Sequence, residues 1–294
     1  MSKILTILEF IRVKQWIKNS FVAIPFVLSL KFLEFNFFNY FSLFIALASF
    51  CLISSSIYIL NDICDIEEDK HHPKKKKRAL PSGKISVFSA ILIAAGFVTI
   101  SLCLVKSFFN DWALLIMLLY VFNNLLYSVK IKHFAIFDVM MISLGFVLRV
   151  LFGVFCFSTP TSKWIILLTF TICLFLALTK RRKDFETDGY LRKSLKGYTL
   201  IMLDKFIVIA AVLAISCYVM YVNEMVNITG NYYFILTNLF VVFGIFRYLQ
   251  AIHLDTVDTG ESGIILYKDL VFLINIVLWG ITLLLCLIFG QKLL

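Results

Sequence analysis

Long apolar runs separated by short polar clusters set the pattern of this chain. A helix needs roughly 20 apolar residues to cross about 30 Å of hydrocarbon. Nine runs approach that length: Phe21 to Phe38, Tyr40 to Leu60, Ser86 to Val105, Trp112 to Val129, Phe134 to Phe157, Trp164 to Leu178, Phe206 to Asn223, Tyr232 to Leu249 and Leu270 to Ile288. The predicted fold class is therefore an all-α membrane protein with nine transmembrane helices, a single polytopic domain over residues 1–294. Ahead of the first run, apolar Ile4, Leu5, Ile7, Leu8, Ile11 and Trp16 stand among Lys3, Glu9, Arg12, Lys14 and Lys18. That pattern suits a helix over residues 1–19 lying in the membrane interface.

Composition agrees with the pattern. The chain is 61% hydrophobic, with a mean hydropathy of +0.93, against about 45–50% apolar residues in soluble domains. Basic residues orient it. With these spans Lys31, Lys106, Lys163 and Lys292 fall on one side, Arg149 falls inside a span, and every other Lys and Arg lies on the opposite side. The positive-inside rule makes that second side cytoplasmic, so the N-terminus is expected inside and the C-terminus outside, in a cell (inner) membrane. The net charge of +10 then reflects topology and anionic substrates or lipids, and no nucleic acid partner is implied. The N-terminal residues lack a cationic stretch leading to a small-residue cleavage site, so insertion by the first span is expected. Seven cysteines form no CxxC pair, and the four histidines have no ligand spacing. Neither set implies a metal or disulfide framework.

The charge-dense loops at 61–85 and 179–205 mark the working face. The first, NDICDIEEDKHHPKKKKRALPSG from Asn61 to Gly83, directly follows an apolar run. If the helix continues through it, Asp62, Asp65 and Asp69 at i, i+3 and i+7 share one face. Three carboxylates so placed repel one another unless a cation joins them. Mg²⁺ suits, because it takes one or two carboxylates together with oxygens of a substrate phosphate. Asn61 is a further candidate ligand. Lys75 and Arg78, in the adjoining basic run, are candidates for phosphate oxygens. Read alone, the stretch is also a solvated acidic-then-basic loop.

A second cluster, Asn124, Tyr127, Lys130, Lys132 and Asp138, joins the fourth and fifth spans. An Asp at a bilayer centre costs about 2.5–3.5 kcal/mol on insertion scales, so these side chains should meet a wet cavity or the headgroups. On its own the cluster is a capped turn with anchoring lysines. Together with the first motif it reads as the other wall of one site. A third group, TKRRKDFE from Thr179 to Glu186, offers Lys180 and Arg181 as phosphate contacts, with Arg182 and Lys183 as anchors. Arg149, deep in a span, needs either a structural partner or a phosphate. Arg12, Lys14 and Lys18 either anchor the interface or roof a polar cavity.

These residues resemble the UbiA superfamily of intramembrane prenyltransferases, and within it the phosphoribosyltransferases that act on decaprenyl phosphate. The resemblance covers nearly the whole chain. RPKQWxKN is similar to Arg12–Asn19, NDxxDxxxDRxHPxKxxRP to Asn61–Ala79, YSxxLKxxxxxD to Tyr127–Asp138, GFLLR to Gly145–Arg149 and GKRxxE to Thr179–Asp184. Val13, Lys70, Ala79, Ile131, Thr179 and Asp184 depart from those patterns, and no departure removes a carboxylate of the first motif. Ordinary members bind a prenyl diphosphate between two Asp-rich motifs, the second resembling DxxxD. Here Ile142 stands four residues after Asp138.

What the resemblance implies is a UbiA-like helical bundle with a cytoplasm-facing polar cavity. The implied reaction transfers 5-phosphoribose from phosphoribosyl pyrophosphate to a polyprenyl phosphate with Mg²⁺ on the diphosphate. Asp62, Asp65, Asp69 and Asp138 are its expected catalytic residues. Lys14, Lys18, Lys75, Arg78, Lys130, Lys132, Lys180 and Arg181 are the expected phosphate seats, with Asn124 and Tyr127 near the ribose. The competing enzyme reading is an aromatic prenyltransferase using a polyprenyl diphosphate. A transporter is disfavoured, because such proteins carry their polar residues near mid-membrane and only Arg149 does so here. Lipid length is not legible, and a homo-oligomer stays open.

Overall fold

The computed structural model describes residues 3–29, 36–71, 75–188, 193–254 and 269–290. It divides into two compact units, Met1–Ile131 with Leu148–Pro160, and Lys132–Val147 with Thr161–Leu294. Among the described residues, eight helices are long and apolar enough to cross a membrane. They are α3 (Phe37–Cys64), α5 (Val87–Phe108), α6 (Asp111–Val129), α7 (Phe137–Phe157), α8 (Lys163–Asp188), α9 (Leu200–Thr229), α10 (Thr237–His253, its span beginning at Tyr232 in the preceding 3₁₀ turn) and α11 (Leu270–Gly290). Short helices α1 (Lys3–Phe10), α2 (Ile24–Leu28) and α4 (Ile66–His71) complete the set. The ninth expected span, Phe21 to Phe38, includes residues 30–35, which lie outside those described.

Local chemistry fixes the helix ends. Side chains of Asn36, Ser86, Asn110 and Thr199 accept from the backbone N–H groups that open α3, α5, α6 and α9, satisfying donors that have no partner within the helix. Gly230, at φ 66°, ends α9 in the left-handed conformation that glycine adopts without a Cβ clash.

In the first unit α3 packs along α5 and against the segment Val13–Ala23. The core holds Val22, Phe26, Phe50, Met117, Tyr120 and Phe152. Val13–Ala23 is a 3₁₀ helix, which corrects the expected continuous interfacial helix. The amphipathic pattern of residues 4–19 is broken at Arg12, whose backbone is left-handed (φ 55°, ψ 47°). With three residues per turn, Trp16, Asn19 and Val22 form one row, while Lys14, Ile17 and Ser20 form another that is exposed. The inner row docks on α3. Trp16 Nε1 donates to Ser55 Oγ at 2.9 Å and Asn19 Nδ2 to Ser54 Oγ at 3.0 Å. Ser54 and Ser55, small polar residues in an apolar span, give the 3₁₀ segment room and partners. Gly153 of α7 does the same for its backbone, since a Cβ there would stand 2.1 Å from the Val22 carbonyl oxygen.

In the second unit α8 packs along α9, and α10 along α11. The core gathers Phe175, Leu195, Tyr198, Leu203, Ile207 and Tyr248. Helix α8 continues to Asp188, so the first ten residues of the expected loop 179–205 are helical. Residues 189–192 lie outside the described residues.

Candidate functional site

The first acidic motif lies at the end of α3. The helix stops at Cys64 and restarts at Ile66, with Asp65 between them at φ −97° and ψ 6°, so the condition of an unbroken helix through all three carboxylates is not met. The break is slight, because Asp65 N–H still donates to Asn61 O at 3.0 Å and Asp69 N–H to Asp65 O at 2.8 Å. Asp62 and Asp69, two turns apart, therefore still converge. Arg78 Nη1 donates to Asp62 Oδ1 at 3.1 Å and to Asp69 Oδ2 at 2.8 Å. One cationic nitrogen thus stands between two carboxylates. Asp65 is drawn elsewhere, its Oδ2 accepting from Asn61 Nδ2 at 3.2 Å. Among the described residues no three acidic, imidazole or thiol side chains are gathered closely enough to hold a metal by themselves.

Arg78 is held in place by the chain just beyond it. Leu80 is buried with Phe10, Ile59, Ala90 and Ala94, and Ile85 N–H donates to Ala79 O at 3.2 Å. His72, Pro73 and Lys74 lie outside the described residues, as does the side chain of Lys75. A second arginine arrives from the N-terminal side. Arg12 pairs with Asp62 through Nη2 and, at 3.3 Å, through Nε, and its guanidinium stands 5.2 Å from the Tyr58 ring centroid. Sequence reasoning leaves Arg12 open between anchor and cavity roof, and only its place in the RxKQWxKN pattern singles it out.

Arg149, on α7, is 5% exposed. Its Nε donates to Asn19 Oδ1 at 3.1 Å and its Nη2 to Tyr120 Oη at 2.8 Å, with the guanidinium over the Phe50 and Tyr120 rings. Neutral oxygens and π faces are thus part of what this guanidinium finds inside a span. Lys18 is half-buried, and burial, then the charges of Arg149 and Arg12, bring its ammonium down to about 8. Arg12, Lys18 and Arg149 thus form a concentration of positive charge against the 3₁₀ segment. Lys14 and Lys130 are exposed, and Asn124 and Tyr127 are half-buried, Asn124 Nδ2 donating to Tyr120 O at 2.8 Å.

In the second unit Asp138 is fully buried. Its Oδ2 accepts from Arg181 Nε at 2.6 Å and its Oδ1 from Tyr198 Oη at 3.0 Å and Val139 N–H at 2.9 Å. Arg181 also donates to Asp184 at 2.9 Å. Tyr198, invisible to sequence reasoning, accepts the N–H of Ile136 at 2.6 Å, where a β-branched residue holds φ 70°, a strained conformation. Burial first, then the Asp138 charge, pushes the Tyr198 hydroxyl up. Lys132 and Lys180 are half-buried. Arg182, read as an anchor, links α8 to α9 through Asp204 at 2.7 Å and also pairs with Glu186 at 2.8 Å.

The family model for the UbiA prenyltransferase family matches residues 22–273. The chain belongs to that family. Similar members include the decaprenyl-phosphate phosphoribosyltransferase of Mycolicibacterium smegmatis, 28% identical over 93% of this chain and 89% of that protein. The protein of the same name from Corynebacterium glutamicum is 30% identical over 86% of this chain and 77% of its own length. The UbiA fold is seen also in a solved homolog from Archaeoglobus fulgidus bound to GPP and Mg²⁺. That structure has a TM-score of 0.69 at 16% identity and covers 98% of this chain and 99% of its own. A structure of digeranylgeranylglyceryl phosphate synthase has a TM-score of 0.66 at 22% identity over 99% of both chains.

Proposed function

We propose that this UbiA-family protein transfers 5-phosphoribose from phosphoribosyl pyrophosphate to a polyprenyl phosphate, releasing pyrophosphate. The observation that carries this reading is the state of the second polar cluster. Asp138 is committed to Arg181 and Tyr198, and Ile142 stands where a DxxxD motif has its second carboxylate. Asp184, the other acid that Arg181 holds, lies on α8, so the DxxxD pair that would seat a second diphosphate-bound metal is lacking. The similarity to decaprenyl-phosphate phosphoribosyltransferases supports the same reading.

In it the diphosphate belongs to the soluble sugar, and the first motif receives it. The donor set fits Mg²⁺, since Asp62 and Asp69 already share one cationic nitrogen and Mg²⁺ needs only one or two carboxylates beside substrate oxygens. Asp65 and Asn61 are the neighbouring oxygen donors. The bound metal supplies positive charge to the departing pyrophosphate. The bond from C1 to the pyrophosphate oxygen breaks, its electron pair leaving with pyrophosphate, and an oxygen of the lipid phosphate bonds to C1. That oxygen is already anionic, so no general base is required. Lys18, Arg78, Lys14, Lys75, Lys130, Lys132 and Lys180 are the cations assigned to the phosphates. Asn124 and Tyr127 are assigned to the ribose. Asp138 and Arg181 act as positioning residues. The site is assigned to the cytoplasmic face of the cell membrane.

Solved relatives that hold GPP or DMAPP with Mg²⁺ favour a second reading, prenyl transfer from a diphosphate. Incubating membranes with labelled phosphoribosyl pyrophosphate and polyprenyl phosphate separates the two. Label in the organic phase, on a lipid that mass spectrometry shows to keep its phosphate and to carry phosphoribose, is the expected result. A prenylated aromatic product would leave only family membership.

A further inference from the structure

We infer that Arg12 and Arg78 are exchangeable counter-ions, competing with a divalent cation for Asp62 and Asp69 and passing to the oxygens of the incoming diphosphate when the cation takes the carboxylates. The inference rests on the proposed role of Asp62 and Asp69 as metal ligands.

Both oxygens of Asp62 and one of Asp69 accept from guanidinium nitrogens. The acids are enclosed and the bases are not. Side-chain exposure is 8% for Asp62 and 1% for Asp69, against 21% for Arg12 and 37% for Arg78. A cation approaching these carboxylates from water therefore meets the arginines first and has to displace them.

Charge balance couples the two ligands. Two carboxylates and two guanidinium groups are neutral together. Adding a dication alone leaves a net charge of about +2 in a half-buried site, which is costly where water is scarce. A diphosphate removes that excess. It also gives Arg78, whose one nitrogen is shared between two carboxylates, a bidentate pair of oxygens, while Arg12 exchanges its two-point pair with Asp62 for one with the diphosphate. Cation and diphosphate should therefore bind with positive coupling, each strengthening the other.

The backbones suit such a hand-over. Leu80 anchors the chain two residues beyond Arg78 in the cluster of Phe10, Ile59, Ala90 and Ala94, leaving the side chain to swing about a fixed point. Arg12 sits at the left-handed break between α1 and the 3₁₀ helix, with the Tyr58 ring beside it as a second support for its charge.

The full chain, purified in detergent, is titrated with Mn²⁺ alone and the free-ion signal followed by electron paramagnetic resonance. Arg78→Gln and Arg12→Gln should bind Mn²⁺ alone about tenfold more tightly than the wild type, within the usual range of coupling. The same variants should bind labelled inorganic pyrophosphate more weakly at saturating Mn²⁺. Opposite signs in the two titrations support the exchange. Unchanged or weaker Mn²⁺ binding by the arginine variants overturns it. Asp62→Asn and Asp69→Asn separate the two ideas. Loss of Mn²⁺ binding there, with no gain in the arginine variants, removes the exchange and keeps the metal ligands. Undiminished Mn²⁺ binding removes both. A measurement on the wild type avoids dependence on variant folding: modification of the two arginines by phenylglyoxal, read by mass spectrometry, should accelerate with Mn²⁺ and slow again when pyrophosphate is added. A rate indifferent to Mn²⁺ overturns the proposal.

Discussion

Arg181 donates from Nε to Asp138 Oδ2 across 2.6 Å, with side-chain exposures of 4% and 0%. A pair so enclosed is worth little against an apolar replacement, yet removing one partner strands a buried charge at a cost of about 3–5 kcal/mol. Arg181→Ala and Asp138→Ala should each lower the thermal unfolding temperature in detergent markedly, whatever their effect on activity. Wild-type stability combined with weakened donor binding would make Arg181 a phosphate contact instead of a positioning residue.

Asp62→Asn and Asp69→Asn should reduce transfer by several kcal/mol of transition-state stabilisation, the scale of metal-ion electrostatics, while expression persists. Excess EDTA should have the same effect on the wild type. Rates of label transfer from phosphoribosyl pyrophosphate check both, and full turnover in EDTA would remove the metal from the reaction.

Lys18 gives a pH signature. Its ammonium is brought from 10.5 to about 8 by burial, then by Arg149 and Arg12. The unfolded chain regains the higher value, so between about pH 8 and pH 10.5 it binds more protons than the folded one. The stability contribution of this residue therefore rises with pH in that window, and the cost of holding its charge is carried in full below it. Phosphate binding takes the opposite course, because it needs the charge. KM for phosphoribosyl pyrophosphate should climb above about pH 8. Lys18→Arg, which stays protonated, should flatten the climb.

Two glycines of the first unit should respond oppositely to alanine. A Cβ on Gly153 would meet the Val22 carbonyl oxygen at 2.1 Å, whereas nothing stands within 4 Å of one on Gly96. Gly153→Ala should cost about 1–3 kcal/mol, as overpacking does, and Gly96→Ala should leave unfolding unchanged or raise its midpoint. Paired melting curves decide it.

Hydrophobic runs made most of the fold legible. Each of the eight described spanning helices coincides with a predicted run, because lipid demands a long apolar stretch and internal backbone hydrogen bonds. The ends were less legible. Helix α8 reaches Asp188 because a polar tail continues a helix outside the hydrocarbon. The carboxylates and basic residues of the first motif lie close in sequence, so their association could be anticipated. Arg12 with Asp62 and Arg181 with Asp138 are 50 and 43 residues apart, and no local pattern announces such pairs. Tyr198 lay hidden for the same reason. The segment after Arg12 misled because its apolar residues satisfy a period near 3.6 almost as well as a period of 3.

That period of three has a consequence for how the N-terminal segment can change. Each residue turns the 3₁₀ helix by about 120°, so deleting one residue between Val13 and Trp16 would carry the row of Trp16, Asn19 and Val22 away from α3 and swing a different row inward. Ser54, Ser55, Gly153 and Arg149 would together lose the contacts that they make with that row. Substitutions at the outward positions Lys14, Ile17 and Ser20 leave this register intact. Across related chains the stretch should therefore vary in letters and hold its length.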